Sequence, residues 1–339
     1  MSEKTPTKFL RYEIERSPLY KLSNKRKLAT LLDVELSFIT AVAASDQSSQ
    51  YRIFVDRKTR RLITEPIEQL ALVHKRLLKL FCRISPPEYV HSAIKKRSYK
   101  TNAEQHVAAA NVLKIDIKKF FPSVKFSYVH AFFLNTMQCS KDIAAILARL
   151  CTVKTKAWGV HLPTGSCISP ILSFLANKSL FDAIKQISDR HDCVFTVYVD
   201  DVTISGTNAT RELLTLVAKE IFKHGYQYHK IKTYHGVPAT VTGLIVSNGQ
   251  LSLPYKRVKK IRELRMALQI TKNESLRSKM LASLVGRLSE AEQISPEYKR
   301  IREGLLTAHS VEWSKVVEYR LTKARIKRQH LRSLKRVPT

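Results

Sequence analysis

The chain has 339 residues, 44% of them hydrophobic and including 13 Phe and 13 Tyr. That is more than one compact core usually serves, so two or three domains packed without long linkers are expected. Fifty-nine Lys+Arg against 28 Asp+Glu leave a net charge of +31, which selects a polyanionic partner held through counterion release. The mixed charge of residues 1–17 excludes a secretory leader and no apolar run reaches bilayer length, so the expectation is a cytoplasmic protein with no membrane contact.

In chain order, residues 8 to 45 read as short helices, with Leu28, Leu31, Leu32, Leu36 and Ile39 near helical spacing. Tyr51–Val55 and Arg61–Ile63 form two strands around the basic turn 56–60. Pro66 opens a helix to about Phe81, with Leu70, Val73, Leu77 and Leu80 on one face. Asn111 to Ile115 is a strand ending at Asp116; a helix follows over 140–152, then the turn Pro163–Ser166 and a helix from about Ser169 to Ile187.

The β-branched and aromatic runs 194–199 and 202–205 flank Asp200-Asp201, giving a β-hairpin with two acids at its tip. A helix over 210–223 and strands near 226–233 and 240–246 complete a β-α-β-β-α-β order, counted from the Asp116 strand. From Pro254 the chain turns helical, and residues 255–339 carry 22 Lys+Arg against 8 Asp+Glu, a net +14. So one-sided an excess points to nucleic acid. The five cysteines are scattered without a C-x-x-C pair, and His224, His229 and His235 fit no zinc spacing, so neither disulfides nor zinc are expected.

Carboxylates gathered at a hairpin tip and at the end of a neighbouring strand repel one another. They stay ionised together when a hard cation such as Mg²⁺ compensates them. An Asp pair in a turn or an Asp before a helix is, taken alone, more often a turn or capping residue.

The surrounding blocks decide the matter. Asp116 to Ser123 (DIKKFFPS) and Tyr198-Val199-Asp200-Asp201 resemble the two catalytic blocks of retron and group II intron-type reverse transcriptases. Arg61 to Pro66 resembles their R-x-I-x-x-P block, Leu162–Gly165 with Ser169-Pro170 their L-P-Q-G-x-x-x-S-P block, and Gly225-Tyr226 with Lys232-Thr233 their later lysine block. Asn102-Ala103-Glu104-Gln105-His106 matches N-A-x-x-H, and Val241-Thr242-Gly243 matches V-T-G, two motifs that mark retron enzymes.

The resemblance implies an α+β, right-hand polymerase fold. Residues 1–101 would be N-terminal helices and fingers, 102–253 the palm with a fingers-side insertion at about 124–161, and 254–339 a basic, RNA-binding helical thumb. It implies an RNA-directed DNA polymerase that copies its own structured noncoding RNA, starts from a guanosine 2′-hydroxyl and leaves branched RNA-DNA (msDNA), joined to an effector protein in anti-phage defence. Host RNase H would remove the copied RNA. The alternatives are a free-standing or group II intron-like enzyme with a 3′-primed template, and a non-catalytic scaffold for RNA and effector.

Carried onto this sequence, Asp116, Asp200 and Asp201 would bind two Mg²⁺ ions, with Mn²⁺ as a substitute. Arg61 and Lys58 would hold the dNTP triphosphate, Phe121 would gate the 2′-hydroxyl, and Lys232 would serve the leaving pyrophosphate. Thr164 and Gly165 would line the nucleotide site, while Tyr198 and Val199 would support primer and template. Asn102, Ala103 and His106, with Val241, Thr242 and Gly243, would serve the cognate RNA. Thr164 departs from the family's usual Gln; a short hydroxyl cannot make an amide's paired hydrogen bonds.

Overall fold

The computed structural model describes residues 10–333. Residues 1–9, part of the stretch read against a leader, and 334–339, the end of the expected thumb, lie outside them. The chain divides into two compact units, 1–237 and 238–339.

The first unit opens with α1 (Lys25–Leu32), α2 (Leu36–Ala44) and the hairpin β1 (Tyr51–Val55) and β2 (Leu62–Pro66). Pro66 ends β2, where it pairs with Tyr51, and α3 begins two residues later (Glu68–Phe81). The periodic face read from the sequence is the buried one, with Leu70, Val73, Leu77 and Leu80 inside. Then come α4 (Tyr99–Glu104), the central strand β3 (Asn111–Ile117), α5 (Phe120–Ser123) and α6 (Phe126–Ala131), which runs on into a π turn at Phe132–Thr136. They are followed by α7 (Lys141–Cys151), the small hairpin β4 (Val153–Thr155) and β5 (Gly159–His161), α8 (Ser169–Ala176) and α9 (Lys178–Asp189). The single helix expected over 169–187 is broken at Asn177. Its side chain is engaged on both sides, Nδ2 donating to Ser173 O at 2.8 Å and Oδ1 accepting from Tyr226 Oη at 2.6 Å.

β6 (Val194–Tyr198), β7 (Asp201–Ser205), α10 (Arg211–Lys223) and β8 (Tyr228–His235) complete the unit. Its sheet runs β6-β7-β3-β8 and is antiparallel throughout. Strand alternation sends Leu113, Ile115 and Ile117 of β3 into the core, together with Phe195, Val197, Val202 and Ile204 of the hairpin. Lys114 and Asp116 lie on the opposite face. The core runs from Leu19 to Tyr226 without interruption.

The second unit begins with a three-stranded sheet of β9 (Ala239–Val241), β10 (Leu244–Ser247) and β11 (Gln250–Ser252), in the order β11-β10-β9. These strands fall in the helical unit, ahead of the palm–thumb boundary expected at 253/254. Helices α11 (Tyr255–Ile270), α12 (Glu274–Ala291), α13 (Glu297–Ala308) and α14 (Ser310–Ser333) follow, around a separate core of Ile261, Leu268, Leu281, Leu284, Val285 and Leu288. Among the described residues no helix is long and apolar enough to cross a membrane.

Candidate active site

The chemistry-bearing side chains line one row across the sheet. Asp116 of β3 stands directly opposite Asp201 of β7 and, on its other side, opposite Lys230 of β8. One residue pair along, Lys114 stands opposite Lys232. Period-two alternation puts Lys114 on the face of Asp116, and its Nζ reaches Asp201 Oδ2 at 2.8 Å. The ladder shifts register between Asp116 and Ile117, so His229 is the extra residue of a bulge in β8. Its Nδ1 lies 3.6 Å from Asp116 Oδ2.

The hairpin turn differs from the expected one. Tyr198 pairs with Asp201, so the two loop residues are Val199 and Asp200, and Asp201 belongs to the strand. Val199 sits at φ +62°, left-handed backbone that a β-branched residue disfavours. Its N–H donates to Ser92 Oγ at 3.1 Å. Asp200 O accepts from Ile117 N at 3.0 Å, tying the tip to the end of β3.

Electrostatics separate the acids. Burial pushes the Asp200 carboxyl up to about 6; the charge of Asp116 adds to this, and Arg61 opposes it. Burial also raises Asp201, against the Lys114 cation, its hydrogen bond and, more weakly, Lys232. Arg61 therefore acts on Asp200 from the start of β2, and Lys232 acts on Asp201. Lys58 is exposed in the β1–β2 turn, which Asp56 organises by accepting from Thr59 N at 2.7 Å.

Of the adjacent aromatics, Phe120 is the core residue, packed on Phe181 and Tyr226, while Phe121 stays half-buried beside it with ring centroids 6.3 Å apart. Tyr198 is half-buried on the strand face of Asp201. Thr164 faces the β2 backbone: its Oγ1 donates to Leu62 O at 2.8 Å and accepts from Thr64 N at 3.1 Å, and its N–H donates to Thr64 Oγ1 at 2.9 Å. Gly165 N donates to Thr64 O at 3.0 Å, and a Cβ on Gly165 would meet that same oxygen at 3.0 Å, so a larger residue would have to push Thr64 aside by a few tenths of an ångström.

Of the remaining motif residues, His106 meets the sheet on the face of the acidic row, through Ser205 and Thr196. Asn102, Ala103 and His106 are buried. Val241, Thr242 and Gly243 make the tight β9–β10 turn of the second unit, with Thr242 at φ +44° and Gly243 at φ +81° as its two loop residues. Lys114, Lys230 and Ser92 were not singled out from the sequence, and His229 was weighed there only as a zinc ligand. The first carried a readable signal, a cation two residues before Asp116 on the same strand face, whereas the other three depend on pairing, a distant loop and a bulge.

An antiparallel sheet backed by helices, with one aspartate on its central strand and two at an adjoining hairpin, defines the palm of a nucleic-acid polymerase. Residues 44–248 match the family described as reverse transcriptase (RNA-dependent DNA polymerase), and the chain belongs to that family. It is similar to the Retron Se72 reverse transcriptase of Salmonella heidelberg (29% identical, over 70% of this chain and 65% of the relative). It is similar also to the Retron Mx65 reverse transcriptase of Myxococcus xanthus (29%, over 70% and 59%) and the Retron Ec73 reverse transcriptase of Escherichia coli (25%, over 70% and 80%). The matched stretch thus spans less than two thirds of the length of the first two.

Proposed function

We propose that the chain is an RNA-directed DNA polymerase of the retron kind. It copies its own structured noncoding RNA from dNTPs, extends from a guanosine 2′-hydroxyl, and leaves msDNA that with an effector protein serves anti-phage defence. The observation that carries the reading is the Asp116–Asp201 pair in direct register with Asp200 at the adjoining turn. Membership in the reverse transcriptase family and the similarity to retron enzymes support the template and product.

Among the described residues no three His, Cys, Asp or Glu side chains already converge on a cation position. Asp201 is paired with Lys114, while burial and then the charge of Asp116 raise Asp200, and a divalent cation would relieve both carboxylates. Asp116 and Asp200 therefore fit Mg²⁺ or Mn²⁺, with Asp201 joining once released from Lys114. When bound, such ions lower the pKa of the attacking hydroxyl and neutralise the triphosphate.

The chain's own residues supply the rest. Arg61, whose charge already reaches Asp200, binds triphosphate oxygens, with Lys58 adding positive potential at the same turn. The half-buried ring of Phe121 offers a flat wall at the sugar, against which a 2′-hydroxyl would clash. Lys232, with its charge on the Asp201 side, holds a proton on Nζ for the leaving pyrophosphate. The basic helices after Pro254 engage RNA hairpins through phosphates and shape, and RNase H of the host trims the copied strand.

The test is to express the chain with its flanking DNA and isolate the nucleic acid bound to it. Single-stranded DNA covalently joined to RNA through a ribose 2′-oxygen is expected. DNA synthesis on a 3′-primed template without any RNA-linked product would instead identify a free-standing enzyme, and no synthesis at all a scaffold.

A further inference from the structure

Residues 89–106 precede the catalytic strand and grip the Tyr198–Asp201 hairpin at three places. Along the outer edge of β6, Val90 bridges Val197 in parallel, with His91 N donating to Val197 O at 3.0 Å and Val197 N to Tyr89 O at 2.8 Å. At the turn, Ser92 Oγ accepts from Val199 N at 3.1 Å. On the polar face, His106 joins the two strands: Nδ1 shares a hydrogen bond with Ser205 Oγ of β7 at 2.7 Å, and Nε2 with Thr196 Oγ1 of β6 at 2.8 Å.

These grips fall where the hairpin is least able to fix itself. Its turn holds a β-branched residue in left-handed backbone, and the partner of that residue's N–H is supplied by Ser92. Thr196 lies two residues from Tyr198, and Ser205 four from Asp201, so both share the strand face of the acidic row. A neutral imidazole suits two hydroxyls, since one ring nitrogen donates, the other accepts, and Ser and Thr take either role. Burial, helped by His91 and Lys114, lowers the His106 pKa to about 3, so the ring stays neutral. The grips are also linked to one another: His91 Nδ1 and Thr101 Oγ1 share a hydrogen bond at 2.9 Å, and Ser98 and Thr101 cap α4 reciprocally.

We infer that His106 of the Asn102–His106 motif, together with Ser92, is a positioning device for Asp200 and Asp201, acting through the hairpin rather than by touching RNA. His106 has no solvent-exposed surface, so it works from inside the palm. The inference rests on the DNA-synthesis reading above and names which residues hold its carboxylates in place.

Primer extension on poly(rA)·oligo(dT), which carries no cognate structure, separates the two roles. For His106→Ala, turnover per active site should fall about ten- to a hundredfold, the scale of a carboxylate displaced by about 1 Å. The Mg²⁺ concentration at half-maximal rate should rise several-fold, while KM for dTTP and the RNA that co-purifies per mole of protein stay unchanged. A variant that is only less well folded would lose active fraction without moving the Mg²⁺ dependence. Ser92→Ala should show the same pattern at smaller size, and answers the question if His106→Ala fails to fold. Adding His106→Ala to Thr196→Val should cost less than it does in the wild-type background. Unchanged turnover and Mg²⁺ dependence, additive losses, or loss of co-purifying RNA with synthesis on poly(rA)·oligo(dT) intact would each overturn the inference. A wild-type chain that makes no DNA on this template would instead remove the DNA-synthesis reading itself.

Discussion

Residues 10–237 fix their functional groups by many crossing constraints, whereas residues 238–333 present theirs on helices with little behind them. In the first unit one core runs from Leu19 to Tyr226, Asp116 and Asp201 are fixed by strand register, and further contacts hold the acidic hairpin: Lys114 for Asp201, Ser92 for the turn, Ile117 N for Asp200 O. In the second unit the core is small, and Met266, Ile270, Val311, Tyr319, Leu321 and Ile326 stay exposed among the Lys and Arg. The difference matches two kinds of task. Charge placed to meet a reacting atom works only over a fraction of an ångström, while attraction to a phosphate backbone tolerates movement and depends on how many cations face it.

Four measurements sharpen or break this contrast. The largest effect belongs to the first unit: Asp200→Asn should lower DNA synthesis by roughly three orders of magnitude or more while bound RNA is retained, and persistent synthesis in a primer-extension assay would refute the site. Next, replacing Lys256, Lys259 and Arg262, spaced three residues apart on α11, with Gln should weaken RNA binding about tenfold and flatten its dependence on log salt. Filter binding from low to high salt checks it, and an unchanged slope would mean that these cations do not face phosphate.

Acidification should then act on the first unit. Burial lowers His74 to about 4 and His106 to about 3, against an ordinary 6.5. Above pH 6.5 neither state binds these protons and stability is full; below it the unfolded chain takes them up and the folded chain resists until about pH 4. Each histidine should therefore cost about 1.4 kcal/mol per pH unit within that window, and His74→Gln should remove one such slope from urea melts between pH 7 and 4.5. The smallest effect is expected of Thr164→Val, which deprives Thr64 N of its acceptor and should cost about 1–2 kcal/mol in the same melts, with a modest rise in KM for dNTP.

The acidic part of the candidate site was legible because strand alternation and two short acidic blocks report on it locally. Asp116 lies on the predicted strand and Asp200 at the predicted turn, while Asp201 belongs to the strand of that hairpin. What local pattern could not report was pairing. Register, set by Val197 opposite Val202, makes the turn Val199-Asp200 and puts Asp201 in the strand. A bulge visible only against β3 brings His229 to Asp116. The Asn102–His106 motif was visible as a pattern, but its place against β6 and β7 depends on contacts some 90 to 99 residues apart in sequence. The second unit was legible only as charge and helix, since few of its positions are dictated by a buried environment.

The Thr64–Thr164 contacts carry a mechanical consequence. Four hydrogen bonds through the Thr64 and Thr164 side chains, a fifth from Gly165 N, and the close approach of Gly165 to Thr64 rivet the end of the β1–β2 hairpin to the loop that leads into α8. The hairpin cannot swing as a free flap on its own hinge. Any movement of Arg61 with its hairpin would carry the loop along as the same lever, so a push at either end is felt at the other.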